Sequence, residues 1–149
     1  MKPKAGGALG IVAKRSASGA SNTNFVIYLW DYKIRMWFSD GSSYVIDALE
    51  SSAAFSDSAW GHCAVVRNNN TFTIYINGVA SASANSSSTI ASTSLPLYIG
   101  CDHPSNAELN AYISNLRIVK GRALYTSGFY PPSAELTNVA DTKLLCCQS

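Results

Sequence analysis

Residues 60–79 read "WGHCAVVRNNNTFTIYINGV", and this stretch decides the fold. Two apolar runs flank Asn68–Asn70, which predicts a tight turn because Asn tolerates the left-handed backbone region. The second run alternates apolar residues with threonine and tyrosine, as expected of a strand with one buried face. The dipeptide Asn77-Gly78 then predicts a further hairpin. The stretch therefore predicts consecutive antiparallel strands.

Strand patterns continue on both sides of this stretch. The sequence predicts nine or ten strands, with turns at the spacing of a β-sandwich. Weak helical windows at 48–54 and 132–141 are equally compatible with turns. The main predicted strands are 8–14, 24–30, 33–39, 43–47, 60–67, 71–79, 95–100, 110–121 and 142–148.

Composition narrows the possible partners. The chain has 149 residues, which predicts one domain, and its net charge is +2 from 11 basic and 9 acidic residues. That charge is too small for nucleic-acid binding by counterion release. No apolar segment reaches the length of a membrane span, and the N-terminus lacks the apolar core of a signal peptide. We therefore predict neither nucleic-acid binding nor membrane insertion.

The cysteines and histidines offer few reactive sites. Cys146 and Cys147 are adjacent, and neighbouring cysteines rarely pair because the geometry is strained. We predict four free thiols, with a bridge from this pair to another strand as the alternative. On a strand, His62 and Cys63 point to opposite sides of the sheet, so they cannot form a nucleophile–base pair. A structural role is expected for His62.

Three segments in order carry a family resemblance: "WGHCAVVRNNNTFTIYINGV", "LPLYIG" and "AYISNLRIVKGRALYTSGFYPP". Together they resemble the laminin-G-like, concanavalin A-like jelly roll found in phage and marine viral structural proteins. The resemblance extends from Trp60 to Pro132, and the earlier strands suit the same fold. It implies an all-β antiparallel jelly-roll sandwich. We expect residues 1–149 to form a single laminin-G-like domain.

The N-terminal part departs from the family pattern. Members usually carry an aromatic-rich strand upstream of the "GIV-x-K" segment, and only about seven residues precede that segment here. The chain is then a fragment, or another chain supplies the strand. A missing strand would leave an open sheet edge that a partner could fill by strand addition.

Acidic residues give no sign of catalysis. A retaining glycosidase needs two carboxyl groups about 5 Å apart. The chain has no Asp/Glu-x-Asp/Glu pair, and its nine acids are scattered, mostly in turns. We therefore predict that the protein is not an enzyme, although a pair assembled from distant segments stays open as an alternative.

Aromatic residues are dense in the first third of the chain. Trp37 shares a strand face with two cations, an arrangement that suits sugar stacking or a protein interface. The alternative is that the second sheet of the sandwich packs on this face. The predicted ligand-binding residues are Trp30, Tyr32, Lys33, Arg35 and Trp37.

Calcium is the one cofactor that the resemblance implies, since laminin-G-type domains often hold it at the sandwich rim. Asp102 with Asn106, or Asp40, are the candidate ligands because calcium prefers loop oxygens. The alternative, which we favour, is turn chemistry in which Asp and Asn cap their own backbone.

Taken with the resemblance, these features predict a non-catalytic virion module that binds cell-surface glycans, such as a tail-fibre, tail or capsid-decoration component. The alternative is a purely structural assembly or decoration protein that contacts neighbouring virion proteins. Either role implies a homo-oligomer or part of a larger assembly, located in the virion or outside the cell after release.

Overall fold

β-Strands make up nearly all the regular structure of this protein. The computed structural model describes residue 1, residues 7–56 and residues 58–148. Within these ranges the only helical element is a 3-10 turn at Ala20–Asn22, and none is long and apolar enough to cross a membrane. The strands are β1 (Leu9–Arg15), β2 (Thr23–Trp30), β3 (Lys33–Ser39), β4 (Tyr44–Ala54), β5 (Cys63–Asn68), β6 (Thr71–Ile76), β7 (Val79–Asn85), β8 (Leu97–Ile99), β9 (Leu116–Val119) and β10 (Thr142–Cys146).

The strands form three antiparallel sheets. A five-stranded sheet has the order β4-β3-β2-β1-β8, a three-stranded sheet has the order β5-β6-β7, and β9 pairs with β10. The predicted tight turns are confirmed, because the residues that make them have positive φ. They are Asp31 and Tyr32 between β2 and β3, Asn69 between β5 and β6, and Asn77 and Gly78 between β6 and β7.

The core lies between the five-stranded and the three-stranded sheet. Ile34 and Met36 of β3 and Leu29 of β2 pack with Phe72 and Ile74 of β6. All five side chains are buried because alternate residues of each strand face the other sheet. The predicted all-β antiparallel sandwich is therefore confirmed.

Several strands differ from prediction: β7 (Val79–Asn85) was not among the predicted strands, and the strand predicted over 71–79 ends at Ile76. The strand predicted from 60 begins at Cys63. The strand predicted over 110–121 is limited to Leu116–Val119, because Asn115 has a φ of 55° and turns the backbone. The weak helical window at 48–54 belongs to β4, which absorbs the left-handed Ala48 as an irregularity in its pairing with β3.

The departure expected at the N-terminus falls largely outside the described residues. Residues 2–6 lie outside the described ranges, whereas Met1 is described. Met1 N–H donates to Gly61 O at 2.8 Å, and Gly61 N–H donates to Met1 O at 2.9 Å.

Candidate functional site

The outer face of the five-stranded sheet carries aromatic and charged side chains. Because one face of β2 and β3 packs on the core, the alternate residues project to the other side. There the rings of Tyr28 and Trp37 meet edge to face at 5.5 Å, and the Arg35 guanidinium lies 4.3 Å from the centre of the Trp30 ring. The three-stranded sheet packs on the opposite face. On the outer face Trp30 and Trp37 are half-buried, and Tyr28 is buried.

A depression of about 270 Å³ opens on this outer face. Its walls include four aromatic side chains from β2, β3 and β4, with the buried Arg15 of β1 at its side. We call it the aromatic depression. The four aromatic residues are Tyr28, Trp30, Trp37 and Tyr44.

Carboxylates hold the polar groups beside the aromatic depression. Glu50 of β4 accepts from Arg35 Nε at 2.8 Å and from Lys33 Nζ at 3.3 Å. The hydrogen bond from Arg35 lowers the pKa of Glu50. Asp47 accepts from Trp37 Nε1 at 2.8 Å, which fixes the orientation of the indole. The rim is therefore preorganised by its own side chains.

A buried polar cluster lies on the outer side of β1 and β2, where the loop 100–109 packs against the sheet. The fully buried carboxylate of Asp102 accepts from the Tyr28 hydroxyl, from Arg15 Nη1 at 3.3 Å and from Asn106 Nδ2 at 2.8 Å. His103 Nδ1 lies 2.8 Å from Asp102 Oδ1, although the contact is not aligned as a hydrogen bond. Burial and the bond to Asp102 raise the pKa of Tyr28. The cluster thus ties the loop 100–109 to the floor of the aromatic depression.

Four of the five predicted ligand-binding residues share this face. Trp30, Lys33, Arg35 and Trp37 lie together around Glu50 and the aromatic depression. Tyr32 lies instead in the β2–β3 turn, where it is half-buried and its carbonyl oxygen accepts from Phe55 N–H at 2.7 Å.

The proposed calcium ligands are divided between two loops. Asp102 and Asn106 are in contact, but the groups that surround the Asp102 carboxylate are donors, and one of them is a guanidinium cation. These donors stabilise the negative charge of Asp102 itself and leave no arrangement of oxygen ligands that fits a bound cation. Asp40 lies in the separate β3–β4 turn. In the described chain, no group of three or more His, Cys, Asp and Glu side chains could hold a metal ion.

Asp40 caps its own turn. Its Oδ1 accepts from the N–H groups of Ser42 and Ser43, both at 2.8 Å. These bonds lower the pKa of Asp40 to about 2. The carboxylate therefore performs the turn chemistry expected of Asp before Gly.

His62 and Cys63 lie on opposite sides of the three-stranded sheet, as predicted. Cys63 packs on the core, and burial raises the pKa of its thiol to about 12. The His62 ring packs instead against Phe129 and Tyr125, with ring centres 5.5 Å and 6.4 Å away. The four cysteines are free thiols in the structure. This geometry supports a structural role for His62.

We expect acid to destabilise the protein partly through His62. Burial lowers its pKa in the folded state, so protonation favours the unfolded chain, whose histidine titrates near 6.5. The stability that a neutral His62 preserves at about pH 7 should decline as the pH falls towards about 5. Urea unfolding at both pH values should show that the free energy of unfolding falls less for His62→Phe than for the native chain as the pH is lowered. Equal losses in the two proteins would contradict this role.

A larger groove of about 450 Å³ lies on the outer side of β6 and β7. Serine and threonine side chains line most of it, and its one aromatic residue, Tyr75, is buried. A groove without an exposed ring offers hydrogen bonds but no stacking surface. We therefore regard the aromatic depression as the better candidate site.

The sequence predictions missed Arg15, and they gave Asp102 only as a calcium ligand or a turn residue. Arg15 and Asp102 lie 87 positions apart and meet only because the loop after β8 folds over β1. Period-2 alternation places Tyr28 on the same side of β2 as Trp30, so the sequence could have predicted that Tyr28 belongs to this face. Nothing in the spacing indicates the pairing of Arg15 with Asp102.

Comparison with protein-family models gives a match over most of the chain. The family model described as the concanavalin A-like lectin/glucanases superfamily matches residues 1–126. No curated protein and no solved structure matches the chain.

Proposed function

The chain belongs to the concanavalin A-like lectin/glucanases superfamily, and from that premise we propose that it is a non-catalytic module that binds cell-surface glycans. The observation that carries the proposal is the aromatic depression. Trp30 and Trp37 line it, and sugars stack on indole rings through their C–H groups. The hydrogen-bonding groups of Arg35, Glu50 and Asp47 lie alongside for the sugar hydroxyls.

The acidic residues of this face support a binding role over catalysis. A glycosidase general acid needs a raised pKa, and the hydrogen bond from Arg35 lowers the pKa of Glu50. Asp47 is engaged by the Trp37 indole. The pKa of Glu50 is therefore shifted away from that of a general acid.

We propose further that the module belongs to a virion, as a tail-fibre, tail or capsid-decoration component. The support is the resemblance of residues 60–132 to phage and marine viral structural proteins. A chain with a charged fraction of only 13% also suits a densely packed assembly. Multivalent display in such an assembly would make a weak single-site affinity useful.

Substitution of Trp37 by alanine should weaken glycan binding roughly tenfold or more, because a stacking surface at the centre of the site is lost. The measurement is binding of the bead-displayed protein to an array of neutral and acidic glycans. Trp60→Ala is the matched control, since Trp60 is 58% exposed and lies outside the aromatic depression. Equal binding by both variants would exclude the aromatic depression as the glycan site.

The same array tests calcium and catalysis. We expect binding to persist in chelator, because the donors around Asp102 do not fit a cation. Binding lost in chelator would restore Asp102, Asn106 and Asp40 as calcium ligands. Release of new reducing ends from the bound glycans would overturn the non-catalytic proposal.

A further inference from the structure

β5 is an edge strand of the three-stranded sheet, and one of its sides is open. It lies at one end of its sheet and pairs only with β6 in the described chain. Successive residues of a strand direct their N–H and C=O groups to opposite edges. His62 O accepts from Asn77 N–H at 2.8 Å on the β6 side, whereas Gly61 faces the other way. The unpaired groups are therefore those of Cys63, Val65 and Arg67, which share the orientation of Gly61.

Met1 shows how this edge pairs. Met1 and Gly61 exchange two backbone hydrogen bonds, at 2.8 Å and 2.9 Å. Two residues that exchange both bonds form a hydrogen-bonded pair of an antiparallel ladder. Met1 thus already occupies the first position of the edge, while the positions opposite residues 63–67 have no backbone partner within the described ranges.

The surroundings of the edge are apolar. Natural edge strands are usually protected by lysine, proline or inward-pointing charge. β5 has one charged residue, Arg67, whose guanidinium lies over the Phe72 ring and bonds to Asn69 O and Ser88 O. Cys63 and Val65 pack on the core and are only half-buried. Such an edge favours an incoming strand with apolar residues.

We propose that the free edge of β5 accepts an extended strand from a partner polypeptide by β-strand addition. The strand runs antiparallel to β5 and pairs with Cys63, Val65 and Arg67. It carries apolar residues at alternate positions, which cover Cys63 and Val65. This partner site lies on the three-stranded sheet and is independent of the glycan proposal.

The test is amide hydrogen exchange followed by NMR. The probe is a peptide of about seven residues that alternates valine and threonine, with lysines at its ends for solubility. At ~1 mM peptide, exchange at Cys63, Val65 and Arg67 should slow roughly tenfold. The amides of Ala64 and Val66 already bond to β6 and should not change, so they are internal controls.

Variants of both partners sharpen the result. Val65→Pro removes one outward N–H without breaking the β5–β6 ladder, so the chain should fold and lose peptide binding. Val66→Pro removes a ladder bond and should reduce stability instead. On the peptide side, N-methylation of the amides that face β5 should abolish the protection.

Three outcomes would overturn the proposal. The first is unchanged exchange at all three outward amides in the native chain at ~1 mM peptide. The second is protection of those amides without peptide in a monomer, which would mean that the chain itself covers the edge. The third is their protection in a dimer, which would assign the edge to a second copy. Glycan binding measured on the same sample reports separately on the aromatic depression.

Discussion

Replacement of Asp102 by alanine should lower the free energy of unfolding by about 3–5 kcal/mol. The substitution leaves the Arg15 guanidinium buried without its counter-ion and removes the acceptor of the Tyr28 hydroxyl. A charge left buried and unpaired costs far more than the net contribution of the intact pair. Urea unfolding followed by tryptophan fluorescence measures the difference.

Two further variants separate charge burial from a general effect of changing the loop. Glu108→Ala alters an exposed carboxylate of the same loop and should change stability by less than about 0.5 kcal/mol. The double variant Arg15→Met with Asp102→Leu removes both charges and should recover most of the lost stability. A loss below about 1 kcal/mol for Asp102→Ala would show that the buried cluster is not held by its ion pair.

Gly10→Ala is expected to cost about 2–3 kcal/mol, as in overpacked sites. A Cβ on residue 10 would lie 2.5 Å from Asp102 N and even closer to the Cys101 carbonyl carbon. Backbone cannot rotate away as a side chain does, so the loop 100–109 must shift off β1. Gly10 N–H also donates to Ala107 O at 2.6 Å, and that bond would stretch.

Gly7→Ala is the matched control for this substitution. A Cβ on Gly7 meets no atom of the described residues within 4 Å, so both variants share the entropic effect of the added methyl group. Thermal or urea unfolding of the two proteins isolates the steric contribution. Equal stability of the two variants would show that the loop rests less tightly on β1 than the structure indicates.

The sandwich could be predicted from the sequence because its signals are local. Asn-Asn and Asn-Gly turns fix the β5–β6–β7 hairpins, and alternation in β3 separates Ile34 and Met36 from Arg35 and Trp37. Strand extents were less predictable. The left-handed Asn115, which bonds to Cys147 O and to Leu136 N–H, lies directly before β9, and the left-handed Ala48 lies inside β4. The alternation of apolar and polar residues continues through both positions, so the sequence does not indicate these left-handed conformations.

The candidate site was predicted only in part, for the same reason. Trp30, Lys33, Arg35 and Trp37 come from one hairpin, so strand periodicity alone places them together. Asp102 was considered only as a turn residue or a calcium ligand, since its partners Arg15 and Tyr28 belong to strands far away in the chain. Contacts of high sequence separation leave no local pattern.

The hydrogen bond between Tyr28 and Asp102 has a thermodynamic consequence. Tyr28 belongs both to the wall of the aromatic depression and to the cluster that holds the loop 100–109. A ligand that favours the bonded position of Tyr28 must therefore also favour the closed loop, and closing the loop must raise the affinity for that ligand by the same factor. A ligand in the aromatic depression and the position of the loop 100–109 would then be coupled through the Tyr28 hydroxyl.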